Sequence, residues 1–284
     1  MAQEVPDLFD PVKARGQLQR AQRQGAETFL LEHAAQDLVE RLAPILRDFD
    51  EAVDVATPLF AFGAVLKEAG RVSRVRAVDE DTPLEAGHHA LILSGMVFHR
   101  INDLPGLLLR LRRALKPDGV MLAAFPGGET LKELRAVLLE AEAGITGAAA
   151  LRVAPMVDVR SAGQLLQRAG FTLPVSDAET LTLRYPDFFA LLRDLRAMGA
   201  TAGLLKRPGT PPLTRAVLAR AATLYAERYA DADGKIRATI EIIWLSGWAA
   251  HESQQKPLKP GSAITRLSDV LERFPAKIES PETL

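Results

Sequence analysis

Cysteine is absent from the 284 residues, and this absence removes several kinds of chemistry at once. The chain can form no disulfide, no thiolate nucleophile and no thiolate-ligated metal or iron–sulfur site. The absence of cysteine is consistent with a reducing compartment, so we predict a cytoplasmic protein. The first ten residues, MAQEVPDLFD, are acidic and lack an apolar core, so we expect neither a secretory signal nor an Arg-rich transit peptide there.

A charge excess and a long apolar run are also missing. The formal net charge is −1, which gives no basic surface of the kind that releases counterions from phosphates, so we expect no nucleic-acid partner. The runs HHALILSGMVF and TIEIIWLSGWAA fall short of the roughly 20 apolar residues that cross a bilayer. We predict no transmembrane segment, and peripheral association with a membrane stays open.

What the sequence does contain is the composition of a globular α/β protein, with 48 % hydrophobic and 25 % charged residues. Residues 14–47 have helical spacing of apolar positions. After them, strand-like runs alternate with helix-like stretches, which predicts a parallel sheet built from crossover units. The predicted strands are 52–56, 75–78, 90–94 and 119–125, and the predicted helices are 58–69, 103–115 and 129–142.

The second half of the chain follows a different pattern. Two extended runs, TLTLRY and the long KIRATIEIIWLSGW, are separated by two helical stretches, which predicts antiparallel strands added to the parallel sheet. We therefore expect three regions: an N-terminal helical segment (1–48), an α/β domain (49–250) with a helical insertion at about 186–230, and a C-terminal tail (251–284).

Residues 98–135, FHRINDLPGLLLRLRRALKPDGVMLAAFPGGETLKELR, resemble the class I S-adenosylmethionine-dependent methyltransferases. NDLPG, LRRALKPDG, DLRAMG and HESQ, in this order, are most similar to the branch that contains a mitochondrial complex I assembly factor described as a protein arginine hydroxylase. The similarity to the malonyl carrier-protein methyltransferase of biotin synthesis is weaker. The resemblance covers roughly residues 9–265.

This resemblance implies a Rossmann-like sheet of seven strands in the order 3-2-1-4-5-7-6, with the cofactor at the carboxyl ends of the first strands. There the family has an acidic residue followed by a glycine-rich turn. Asp54 keeps the acid, but the turn from Ala56 to Phe60 has no glycine, and Gly63 is the first one after it. Pro58 offers no N–H, and Leu59 and Phe60 add bulk. We predict a plain helix start with Thr57 as N-cap, Pro58 at the first helical position and Gly70 at the end; a variant cofactor loop is the alternative.

Spacing gives an independent argument for a shortened sheet. Only 25 residues separate Asp54 from Asp79, whereas two complete crossovers need roughly 48. We predict one strand fewer than the family has. VRAVDED is then either the second strand, with Asp79 placed to bind ribose hydroxyls, or the acidic segment before the family's fourth strand, with the ribose-binding strand lost. We favour the second assignment.

Several residues are candidates for a site. His99, just past a predicted strand, is placed where methyltransferase-like proteins hold residues near the transferred group, so it is a candidate general base. His88 and His89 have no third ligand nearby, so we predict no metal site. Asn102 and Asp103 most simply cap the helix near Leu104, although Asn102 also counts among the cleft candidates. If cofactor binding persists, its residues are Asp54, Gly63, Asp79 and Glu80, and the cleft or substrate candidates are Asn102, Gly127, Gly128, Trp248, His251 and Glu252.

Further departures point away from catalysis. The family's LHWVNDLP is FHRINDLP here, with Arg100 in place of the tryptophan, and DLRAMG is followed by Ala200, Thr201 and Ala202. We therefore predict a methyltransferase-like protein with a degenerate S-adenosylmethionine site and no cofactor. Its predicted role is that of a non-catalytic assembly factor with a protein partner, in complex I maturation by resemblance. The alternative is an active S-adenosylmethionine-dependent methyltransferase or hydroxylase acting on a protein or carrier-bound substrate.

The two inserted helices carry one more expectation. The family places its substrate lid above the cleft, so these helices should lie at the carboxyl ends of the strands. They should present apolar side chains to the sheet or to a partner, namely Phe188, Phe189, Leu192 and Leu195.

Overall fold

The computed structural model describes residues 7–206 and 209–254. The chain divides into two compact units, Met1–Ala250 and His251–Leu284, and every helix and strand named below lies in the first. The helices are α1 (Pro11–Arg23), α2 (Phe29–Leu42), α3 (Ala61–Glu68), α4 (Leu104–Ala114), α5 (Lys132–Thr146), α6 (Val159–Arg168), α7 (Phe188–Ala197) and α8 (Arg215–Tyr229). The strands are β1 (Phe49–Val55), β2 (Val72–Val78), β3 (His89–Gly95), β4 (Leu115–Pro126), β5 (Thr172–Tyr185) and β6 (Ile236–Trp248).

These strands form one sheet in the order β2-β1-β3-β4-β6-β5. Strands β2, β1, β3 and β4 are parallel, and β6 runs antiparallel to both β4 and β5. Within the described residues this is the family's strand order without its third strand. The Rossmann-like α/β class, the missing strand and the antiparallel last strand are confirmed.

The sheet is covered on both faces, which explains the nearly continuous apolar runs in β3 and β4. On one face Leu91, Leu93 and Leu122 pack in a cluster with side chains of α2, α3, α5, α7 and α8. On the other face Ile92, Met121 and Ala123 pack with α4 and α6. The N-terminal helix α2 therefore shares its core with the sheet.

The favoured assignment of VRAVDED is right about the acidic segment, which precedes the family's fourth strand, here β3, and wrong about the loss of the strand beside β1. Strand β2 pairs with β1 over its full length, from Phe49↔Val72 to Val55↔Val78, so the strand beside β1 is present. The loop 79–88 then leads straight into β3. The missing crossover is the one beyond β2. The ten residues between β2 and β3 are too few for a helix and a further strand, so no outer strand can form there. Asp79 accordingly follows the second strand.

The start of α3 differs from the prediction. Pro58–Phe60 form a short 3-10 turn and α3 begins at Ala61. Thr57 does stand at the N-cap position and Pro58 at the first position, but of this turn and not of α3. The Thr57 hydroxyl makes no capping hydrogen bond and accepts one from the Gly95 N–H at 2.8 Å instead. Gly70, with φ of 69°, does end the helix, because the left-handed conformation suits glycine.

The inserted helices lie in two different places. β5 runs parallel to β4, so α7 starts at the edge where β1, β3 and β4 end. On α7, Phe188 and Leu195 are buried and Leu192 is partly buried, whereas Phe189 is exposed. Helix α8 packs against α5 and β6 through Val217, Ala221 and Leu224, so it covers a sheet face.

Candidate functional site

A cavity of about 120 Å³ lies at the carboxyl ends of β1, β3 and β4, which we call the carboxyl-end cavity. Parallel α/β sheets place their ligands at this edge. Helices α1 and α2 and the segment after α7 close it from above, so part of the predicted lid is in place, although α8 contributes no lining residue. The lining residues are Leu18, Gln22, Ala26, Glu27, Thr28, Leu30, Leu31, Pro58, Leu59, Met96, His99, Arg100, Pro126, Met198, Gly199 and Ala200.

The turn below this cavity keeps a backbone typical of glycine without having glycine. Ala56, Leu59 and Phe60 have φ of 57°, 56° and 53°, in the left-handed region that costs L-residues roughly 1 kcal/mol or more each. Leu59 lines the cavity with Pro58, whereas Phe60 is 54 % exposed. Of the residues that replace the family's glycines, Pro58 and Leu59 are therefore the ones that fill space in the cavity.

Asp54 and Gly63 bind each other. The Gly63 N–H donates to Asp54 Oδ2 at 2.9 Å, and the other oxygen, Oδ1, is buried without a hydrogen-bond partner among the described residues. Burial raises the pKa of this carboxyl. Gly63 also lets α3 approach β2, because a Cβ there would overlap Val75 Cγ1. Neither residue lines the carboxyl-end cavity.

The two acidic candidates after β2 lie outside the cavity as well. Asp79 is exposed and forms a tight turn with Thr82, whose N–H donates to the Asp79 carbonyl at 3.0 Å. Glu80 is 3.5 Å from Arg15 of α1 and lines a neighbouring cavity of about 290 Å³, the outer cavity. The structure thus separates Asp54 and Gly63 from Glu80, and the four residues do not form one binding surface.

His99 does line the carboxyl-end cavity. Its Nδ1 is buried and has no hydrogen-bond partner in the described part of the chain. Burial, with a smaller contribution from the Arg100 charge, lowers the pKa of His99 to about 3. The ring is therefore neutral at pH 7, and such a low pKa makes it a weak proton acceptor.

Asn102 has a role that the sequence did not suggest. Its Oδ1 accepts hydrogen bonds from the Leu8 and Phe9 N–H groups at 2.9 and 2.8 Å, and its Nδ2 donates to the Phe9 carbonyl at 3.0 Å. Asp103 alone caps α4, accepting from the Gly106 N–H at 2.8 Å. The predicted capping role of Asn102 is wrong, because its side chain ties the segment before α1 to the residues just before α4.

The remaining cleft candidates are scattered. The N–H of Gly127 donates to the Glu241 carbonyl at 2.9 Å, so this glycine packs on β6, and Gly128 lies near Met156 and Asp158. Trp248 ends β6 beside Val120 and Thr172. Because β6 is antiparallel, that position is the edge opposite the carboxyl-end cavity. His251 and Glu252 are exposed in the second unit, where His251 Nδ1 lies 2.7 Å from the Ser253 hydroxyl.

Two absences concern the described residues alone. They contain no group of three His, Asp or Glu side chains able to hold a metal ion. Among the helices described there, none combines the length and apolarity that a membrane crossing requires.

Sequence reasoning missed most of the lining of the carboxyl-end cavity. Leu18 and Gln22 come from α1, Leu31 from α2 and Met198 from the end of α7, and nothing local in the sequence connects them. Arg100 offered a signal, since it is a lone positive charge in the apolar run VFHRI. In the family resemblance Arg100 replaces a tryptophan, and in the structure it lines the cavity.

Strand order, the acid ending β1 and a cavity at the carboxyl edge together define a methyltransferase-like Rossmann fold. No family model matches the chain. The mitochondrial arginine hydroxylase NDUFAF5 of Mus musculus is 31 % identical, over 93 % of this chain and 86 % of that protein. The chain belongs to the family of this arginine hydroxylase.

Other relatives match over shorter lengths. The Danio rerio arginine hydroxylase NDUFAF5 is 39 % identical, over 69 % of this chain and 60 % of that protein, which is less than two thirds of its length. The malonyl-[acyl-carrier protein] O-methyltransferase of Laribacter hongkongensis is 32 % identical, over 65 % of this chain and 59 % of that protein. Among solved structures, YcgJ of Bacillus subtilis matches with a TM-score of 0.48 and 12 % identity, over 77 % of this chain and 99 % of that one.

S-adenosylmethionine fits the residues at this site poorly. The predicted cofactor residues do not line the carboxyl-end cavity, and Pro58 and Leu59 occupy its β1 side. The orphaned Asp54 oxygen lies beneath the turn and is fully buried.

Proposed function

We propose that this protein is a non-catalytic assembly factor that uses a methyltransferase-like fold to bind a protein partner and does not bind S-adenosylmethionine. The size of the carboxyl-end cavity carries the proposal. Its volume is about 120 Å³, whereas pockets for cofactor-sized ligands occupy roughly 300–1,000 Å³.

The turn supports the same conclusion energetically. Pro58 has no N–H to donate, and Leu59 fills space where a ligand would meet bare backbone. Each hydrogen bond lost with its polar partner left unpaired costs about 1–3 kcal/mol. Two or three such losses would weaken a micromolar ligand, at about −8 kcal/mol, to a millimolar one or worse.

A protein partner is the other half of the proposal. The chain belongs to the family of a mitochondrial arginine hydroxylase. Because its sequence also resembles a complex I assembly factor, we assign it to the maturation of respiratory complex I. In the turn after β1, the apolar residues Leu59 and Phe60 are 49 % and 54 % exposed. Apolar surface of this kind is suited to a protein contact.

Calorimetry with S-adenosylmethionine and S-adenosylhomocysteine tests the cofactor half. We expect no saturable binding below roughly 1 mM. A variant with Leu59→Gly and Phe60→Gly, which restores the glycines, serves as the comparison for a turn without bulk. Micromolar binding to the natural chain would overturn the proposal and bring the enzyme alternative forward.

A separate experiment tests the assembly role. Cells deprived of this chain should accumulate less assembled complex I on native gels, and the natural chain should restore it. Asp54→Asn, which keeps the shape of the carboxyl group, should restore assembly equally well if no cofactor is used. Assembly that is normal without the chain would contradict the assembly role and leave the calorimetric result standing.

One observation favours the alternative of an active methyltransferase or hydroxylase. The turn keeps left-handed backbone at Ala56, Leu59 and Phe60, and the first N–H groups of α3 still give a positive helix end. Such an end can hold a carboxylate without any glycine. The same calorimetry decides between the two proposals.

A further inference from the structure

Arg100 presents a positive charge that nothing in the described part of the chain neutralises by contact. Its guanidinium has no ion pair within 4 Å and no hydrogen bond there. The residue is half-buried and lines both the carboxyl-end cavity and the outer cavity. Burial lowers the pKa of Arg100, although an arginine keeps its proton at any ordinary pH.

The nearby carboxylates do not complete the pair. Glu80, whose charge acts on Arg100 from a distance, is bound to Arg15 at 3.5 Å. Glu27 also lines the carboxyl-end cavity but is exposed to solvent. A half-buried charge without a partner is costly, and it becomes favourable once an anion enters the space that it faces.

The other walls of the cavity define the rest of such a ligand. They are largely apolar and include Leu18, Leu31, Leu59, Met96 and Met198. The neutral His99 adds an Nδ1 without a partner among the described residues. We propose that the carboxyl-end cavity is a binding site for a carboxylate with a small branched apolar body, in which Arg100 binds the carboxylate. The source is either a free short-chain acid or the C-terminal carboxylate of a leucine-like residue on a protein.

This inference does not depend on the proposed assembly role, because it concerns a ligand other than S-adenosylmethionine. Calorimetry with four probes tests it: isovalerate, its neutral amide isovaleramide, N-acetyl-leucine and N-acetyl-leucinamide. The two acids carry the charge that Arg100 requires, and the two amides have the same apolar bodies without it. We expect saturable binding of at least one acid and at least about tenfold weaker binding of its amide.

Three variants place the ligand. Arg100→Gln should weaken acid binding at least about tenfold, because the charge-assisted hydrogen bonds are lost. Arg100→Lys should lie between Gln and the natural residue, since lysine keeps the charge without the planar fork. Arg110→Gln removes an exposed arginine that lines the outer cavity alone, and it should leave acid binding unchanged.

Thermal melting separates a binding role from a structural one. Without ligand, Arg100→Gln should melt at the same temperature as the natural chain or higher, because an unpaired charge has been removed. Binding of isovalerate supports a free acid, and binding of N-acetyl-leucine alone supports a protein terminus. Acids and amides binding alike, acid binding lost in Arg110→Gln, or no binding of either acid would overturn the proposal.

Discussion

At the scale of single residues, His99 has a consequence for stability. The pKa of its imidazole is about 3 in the folded chain against 6.5 for the free group, so folding favours the neutral ring. The contribution to stability is complete above pH 6.5 and is lost as the pH falls towards 3, at up to about 1.4 kcal/mol per pH unit. We expect urea unfolding between pH 6 and 4 to show a steeper loss of stability for the natural chain than for His99→Gln.

The comparison contains its own control. Above pH 7 the imidazole is neutral in both folded and unfolded chains, so the two proteins should show the same pH dependence there. Equal slopes between pH 6 and 4 would show that His99 takes up a proton without cost when folded.

At the scale of elements, Gly63 sets how closely α3 lies against the sheet. A Cβ at this position would overlap Val75 Cγ1 on β2 and come within 3.3 Å of Asp54 Oδ2. We expect Gly63→Ala to destabilise the protein by about 1–3 kcal/mol, as overpacking does, measured by urea unfolding. Gly144→Ala is the matched control, because it lies in α5 with nothing within 4 Å of its Cβ and should stabilise by about 0.5–1 kcal/mol.

A second substitution tests the cause. If the overlap with Val75 is responsible, Gly63→Ala combined with Val75→Ala should lose less stability than the two single variants together. Strict additivity would point to a backbone cause instead.

At the scale of the whole molecule, the missing crossover leaves β2 as an outer strand. No strand in the described residues pairs with its free side, and Arg74 and Arg76 are exposed along it. Charged side chains on an edge discourage pairing between molecules. We expect Arg74→Val with Arg76→Val to self-associate, seen as a larger mass in light scattering at increasing concentration.

The control makes the same two Arg→Val substitutions on a helix and not on the strand edge. Arg20→Val with Arg23→Val makes the same change of charge on the exposed surface of α1 and should stay at the natural mass. Association of both double variants would show that lost charge, and not the strand edge, is responsible.

The order of the parallel strands and the shortened crossover could be predicted from the sequence. The alternation of apolar runs with helical periods predicted the four parallel strands, and the 25 residues between Asp54 and Asp79 allowed a single crossover. These features could be predicted because periodicity and covalent length act between neighbours along the chain. Local signals were sufficient for the helix end at Gly70 and for the Asp103 cap as well.

Which residues contact one another across the fold could not be predicted from local sequence. Leu18, Leu59 and Met198 line one cavity although they are far apart in the chain, and Asn102 holds Leu8 and Phe9 instead of capping a helix. Trp248 lies at the edge of the sheet opposite the cavity, because β6 runs antiparallel to β4. The physical reason is the same in each case. Strand direction and the path of the chain in space bring distant side chains together, and the neighbouring residues in the sequence do not determine either of them.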